Sequence, residues 1–136
     1  MTENATLELF QPLRPHHPCR KFDSPIIRVR YYDIPFPKSF RCQVTLNKHA
    51  ALYLKLEKGD RVLLAREPLS GKFCLAYVPP SDPIHAYFLV GNYHSLHFDS
   101  KDLHGKIEQG FFSIGEPFWH KPTNLNFYPL TLVIPS

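Results

Sequence analysis

Fourteen prolines in 136 residues, set against only six glycines, constrain this chain more than any other feature of its sequence. Proline fixes φ and has no amide hydrogen, so it interrupts helices and is kept out of central strands. A long helical bundle is thereby excluded. What remains are short segments between breaks, and those segments read as strands: 26–34, 41–46, 61–67, 72–78, 86–90, 95–98, 111–115 and 127–134. Each is rich in β-branched or aromatic residues and is bounded by turn signals such as Leu69-Ser70-Gly71-Lys72 and Gly91-Asn92. Hydrophobic residues make up 43% of the chain, enough apolar surface to offset the entropy of ordering it, so a disordered chain is excluded.

Two segments carry helical signals instead. Asn47 can cap a helix over 48–56, with Leu52 and Leu56 at i, i+4 on one face. Asp99 or Ser100 can cap another over 101–108, with Leu103 and Ile107 at the same spacing. Gly59 and Gly110 follow as C-terminal stops. The surroundings of the two helices match. Segment 44–68 and segment 96–117 each hold a strand, a capping Asn or Asp, a Leu-x3-Leu/Ile pair, Lys-[Leu/Ile]-Glu-[Lys/Gln]-Gly, a strand and Glu-Pro. The predicted fold is therefore mainly β (β+α): a small barrel from a duplicated ββαββ unit with two short helices. Residues 1–25 form an irregular Pro-rich arm with a short edge strand at 7–10. Residues 26–80 form the first unit and 84–136 a second, degenerate unit sharing one core, since neither unit alone can bury its apolar face.

The net charge of +4 is unevenly placed. Residues 1–50 hold eight Lys/Arg and four Asp/Glu; the rest of the chain holds eight of each. Between Arg14 and Lys48, eight basic residues face only Asp23 and Asp33, so an anionic partner is expected there.

Val44-Thr45-Leu46, Asn47-Lys48, Leu54-Lys55-Leu56 and Glu57-Lys58-Gly59-Asp60-Arg61-Val62 follow one another without a gap. This stretch resembles the AbrB/SpoVT family of swapped-hairpin DNA-binding proteins. The family pattern is an apolar strand ending in Pro-Lys, a helix ending in Leu-x-Leu, and x-x-Gly-Asp-x-Val. The resemblance implies that Leu52, Leu54 and Leu56 plug the end of a swapped-hairpin-type barrel, that Gly59 turns the chain out of the helix and that Asp60 bonds the turn backbone. A chain with two such units resembles the tandem MraZ-type regulators, which close one barrel within a chain. The implied function is binding of double-stranded DNA, in transcription regulation or as an antitoxin, by basic residues before the first helix. The positions in that stretch are Arg28, Arg30, Lys38 and Arg41, and Lys48 matches the family's Lys. Arg28 and Arg30, two apart on a strand, share a face. The chain departs from the pattern at Asn47, which replaces Pro, and at Ala50-Ala51, where Arg is frequent. In the second unit His94 and His97 stand where cations are wanted, so binding should be lopsided. The other reading is a protein-interaction module, antitoxin-like or adaptor, on a barrel that has lost DNA binding; on either reading a swapped homodimer needs the same residues as an intrachain barrel. It would present the arm or the aromatic stretch Phe118-Trp119-His120-Lys121.

Other chemistries find little support. His16-His17-x-Cys19 lies in a proline-held arm, and His94 and His97, three apart on a strand, point to opposite faces, so no metal site is expected. No GxSxG, HExxH or GxxxxGKS motif is present, and neither an enzyme nor a cofactor is expected. Cys19, Cys42 and Cys74 form no disulfide framework; Cys42 and Cys74 are read as core residues. With no basic signal-like N-terminus and no apolar run near ~20 residues, a cytoplasmic protein without membrane insertion is expected.

Overall fold

A computed structural model describes residues 22–92 and 95–135. The predicted edge strand at 7–10, most of the arm, and His16, His17, Cys19 and His94 lie outside the described residues. Ten strands and one helix follow in order: β1 (Ile26–Pro35), β2 (Lys38–Asn47), α1 (Lys48–Leu54), β3 (Arg61–Arg66), β4 (Phe73–Val78), β5 (Tyr87–Phe88), β6 (Val90–Asn92), β7 (Ser95–Ser100), β8 (Gly110–Ile114), β9 (Phe118–His120) and β10 (Leu125–Pro135).

All pairings are antiparallel. They run β5–β3–β4–β10–β8–β1–β2–β7–β6, with β9 added to β10. The ends of that path, β5 and β6, are neighbours in the chain with only Leu89 between them. The sheet therefore curls round and nearly closes into a barrel. Leu89 carries the seam: its carbonyl accepts from the Gly59 amide at 2.9 Å and its amide donates to the Asp60 carbonyl at 2.8 Å. Strand alternation fills the interior. Ile27, Val29, Cys42, Val44, Leu46, Val62, Leu75, Leu96, Phe98, Phe112 and Leu130 form one buried cluster with residues of α1. Each large aliphatic side chain so buried is worth about 1.5–3 kcal/mol. A second, smaller cluster lies on the other face of β3, β4 and β10, around Cys74, Ala76, Val78, Leu125 and Phe127. The loop after β4 covers part of it, tied down by Arg61, whose guanidinium donates to the carbonyls of Ile84, Pro79 and Asp82 at 2.9, 2.6 and 2.6 Å.

Helix α1 starts as its sequence dictates. The Asn47 Oδ1 accepts from the Ala50 amide at 2.8 Å, satisfying one of the helix's orphan donors. Ala50, Ala51, Leu54 and, beyond the helix, Leu56 are buried. Two details correct the expectation for this segment. Lys55, not Gly59, takes the left-handed conformation that ends the helix (φ 57°), one turn earlier than predicted. Leu52 is not part of the plug but 52% exposed, because α1 packs through the face of Ala50, Ala51 and Leu54, and Leu52 lies off that face. Asp60 does bond the turn, its Oδ2 accepting from the Glu57 amide at 2.8 Å.

The predicted second helix is absent: 101–107 is a run of turns flanked by two bends. The Ser100 hydroxyl accepts from the Asp102 amide, closing a local turn rather than capping a helix. The bonds His104 N–H to Lys101 O and Lys106 N–H to Leu103 O span three residues, not four, and Gly105 sits at φ 81°. That angle breaks a right-handed helix at its centre. The segment still plugs the barrel, with Ile107 buried and Leu103 packed on the core. Because β2 pairs with β7 from Asn47 opposite Ser95 to Cys42 opposite Ser100, α1 and this segment leave the sheet at opposite ends. The first unit has the ββαββ order; the second has no helix among the described residues. Among the described residues, no helix is long and apolar enough to cross a membrane.

Candidate nucleic-acid interface

The β1–β2 hairpin places the predicted cations. Residues of β1 alternate between barrel interior and solvent, so Ile27 and Val29 are buried while Arg28 and Arg30 are exposed. The register sets Arg28 opposite Thr45, Arg30 opposite Gln43 and Tyr32 opposite Arg41. Arg41 therefore joins Arg28 and Arg30 on the outer face. Lys38 does not. It shares parity with Cys42, and near the hairpin tip its Nζ lies 5.9 Å from the Phe40 ring on the other side of the ribbon. Lys48 is exposed at the start of α1, next to the end of β2. Three of the five predicted residues thus form one row, with Lys48 flanking it.

Sequence reasoning missed the side chains between them. The Arg28 guanidinium lies 5.3 Å from the centre of the Phe111 ring, and Phe22 packs on that ring at 5.2 Å. Arg30 lies 5.6 Å over Tyr32 and donates to the Gln43 Oε1 at 3.1 Å. Tyr32 was legible from its spacing, two residues after Arg30 on the same strand. Phe111 was not, since it reaches Arg28 only through the β1–β8 pairing. One acid enters the row: Asp99 on β7 sits opposite Gln43. Burial and the neighbouring Asp99 carboxylate hold the Tyr32 phenol above its ordinary range, against the pull of Arg41 and Arg30. Tyr32 is thus a neutral hydrogen-bonding group at physiological pH. The outer face offers cations, ring faces and amide groups, which suit phosphate contacts and stacking.

The remaining candidate chemistries fall elsewhere or nowhere. Among the described residues, no three His, Cys, Asp or Glu side chains are grouped to hold a metal ion. Cys42 and Cys74 are buried and unpaired. Burial first, and Asp99 second, push the Cys42 thiol up to about 11; burial and Glu67 raise that of Cys74. Both stay protonated near neutrality, the reverse of what a nucleophile needs. Phe118 and Trp119 are 46% and 55% exposed, on a strand and not in the expected loop between strands. No family model, no curated protein and no solved structure matches this chain.

Proposed function

We propose that the protein binds double-stranded DNA through the outer face of β1 and β2, in the manner of AbrB-like regulators. One observation carries the reading: Arg28, Arg30 and Arg41 form a solvent-facing row on adjacent strands. The strand–helix–strand over 44–62, capped by Asn47 and turned by Asp60, is also the local structure that the AbrB/SpoVT resemblance requires. The arginines bind phosphates, and Arg30 with Gln43 is the pair best placed to read base edges.

The test is fluorescence anisotropy with duplex DNA at two salt concentrations. Binding should weaken steeply with salt. Arg28→Ala, Arg30→Ala and Arg41→Ala should each lower the log–log salt slope by about one unit. Lys38→Ala, on the other side of the ribbon, should leave the slope unchanged. Absence of salt-dependent binding at low salt, or equal effects of all four substitutions, refutes the proposal. The protein-interaction reading is favoured by a different feature, the exposed Phe118 and Trp119 on β9, which pairs only with β10 among the described strands. It gains if DNA binding fails.

A further inference from the structure

On the barrel wall formed by β3, β4, β9 and β10 lies a pocket of about 310 Å³, lined by Ala65, Cys74, Phe118, His120 and Phe127 with Glu67 at its margin. It stands on the smaller apolar cluster and shares no residue with the arginine row. The size is at the lower end of small-molecule sites.

Its walls are aromatic and already positioned. The Phe118 ring stacks on Phe127 at 6.2 Å, and the His120 ring meets Phe127 edge-on at 5.4 Å. His120 is fixed in turn by the 2.7 Å bond between its Nδ1 and the Thr123 hydroxyl. The floor is neutral, because the buried Cys74 thiol stays protonated, and Glu67 contributes to holding it so. Of the two charged side chains that line the pocket, Glu67 and Arg66, the acid is the one on this face. Arg66 also borders the pocket, but strand alternation sends its side chain to the face of Val62 and Leu64, where it lies with Phe73 and Lys106 about another hollow. Ring faces carry negative potential and attract cations, and a carboxylate beside them adds to that attraction.

We propose that this pocket binds a small organic cation, an ammonium group on an aromatic or branched apolar body. The Phe118, Phe127 and His120 rings surround the body, and the Glu67 carboxylate faces the charge. The inference is independent of the DNA reading.

The experiment is a two-dimensional amide NMR titration of the full chain with 2-phenylethylamine, 2-phenylethanol and 3-phenylpropionate. These share a ring and differ in charge. Saturable shifts should centre on the amides of Ala65, Cys74, Phe118, His120 and Phe127. The amine should bind roughly three- to fivefold more tightly than the alcohol, and the acid most weakly. Glu67→Gln should weaken the preference for the amine, leaving only the share due to the rings, and keep alcohol binding intact; Glu67 is exposed, so this variant keeps the fold. Ala65→Leu, which fills the pocket, should abolish binding of all three. Shifts that do not saturate, shifts centred elsewhere, or a preference for the amine that Glu67→Gln leaves undiminished would each overturn the proposal.

Discussion

Asn47 holds two elements with one side chain, and its replacement separates the contributions. Its Oδ1 accepts from the Ala50 amide at 2.8 Å and from the Ile26 amide at 3.1 Å, and its Nδ2 donates to the Ser24 carbonyl at 3.0 Å. The first bond caps α1; the other two fix the start of β1, just before Arg28. Loss of an N-cap costs about 1 kcal/mol. Each further hydrogen bond is worth about 1 kcal/mol, less for the exposed one to Ser24. Asn47→Ala should therefore cost about 2.5 kcal/mol. With an unfolding entropy of ~2.1 cal/mol/K per residue, a chain of 136 residues should lose about 9 °C of Tm. Asn47→Asp keeps both acceptor bonds, gives up only the donor, and places a negative charge at the helix N-terminus, where it is favourable by about 0.3–1 kcal/mol. Its net cost should stay below about 1 kcal/mol. Urea unfolding followed by circular dichroism measures both. If Asn47→Asp is as destabilising as Asn47→Ala, or if Asn47→Ala costs less than about 1 kcal/mol, the side chain does not hold the two elements together as described.

Two further outcomes follow from the core. Leu89 is buried at the seam between β5 and β6. Leu89→Ala should cost about 2–5 kcal/mol in denaturant titrations and should speed hydrogen exchange at the Gly59 and Leu89 amides; a cost below about 1 kcal/mol would mean that the seam does not need this side chain. The Cys42 thiol, at about 11 in the folded chain against 9.0 for the free group, gives a pH window. Between those values the unfolded chain has lost a proton that the folded chain keeps, so stability is full below pH 9 and falls as pH rises toward 11. At ~1.36 kcal/mol per unit, the loss is about 2–3 kcal/mol. Cys74, Tyr32 and Tyr53, whose values are also raised, add to it with the same sign. Cys42→Ala should be less stable at neutral pH but should flatten part of the decline. Parallel thermal-melt curves for both proteins across this window would contradict the assignment.

Features written into neighbouring residues were legible in the sequence; features made by distant pairing were not. Alternation in β1 put Arg28 and Arg30 on one face, and Asn47 announced α1. Parity alone also separates Lys38 from Arg41, three residues apart on one strand, a signal that grouping them by charge overlooked. The region around 101–108 misled for a local reason. Ser100, Leu103 and Ile107 satisfy a helix pattern, but the same side chains bury equally well from a series of turns. Gly105, at φ 81°, decides between the two. The pocket was illegible because Glu67, Cys74, Phe118 and Phe127 come from β3's end, β4, β9 and β10, which meet only once the barrel is rolled.

The closure of the barrel explains how two dissimilar segments can occupy matching positions. A barrel of this size has two open ends, and each exposes apolar side chains until something covers it. Here the connection after β2 covers one end with Leu54 and Leu56, and the connection after β7 covers the other with Leu103 and Ile107. Covering an end requires apolar side chains aimed into it, and it does not require a helix behind them. The two ends therefore share a task and not a spacing: Leu52 of the first Leu-x3-Leu pair is exposed and Leu54 covers the end in its place, whereas Leu103 and Ile107 both pack on the core. The outer wall is under no such demand. Beside the Arg28, Arg30 and Arg41 row, β7 presents His97 and Asp99. An anionic partner that follows the arginines along β1 and β2 meets repulsion when it crosses onto β7. Binding to this barrel should therefore be one-sided, centred on the hairpin and ending at Asp99.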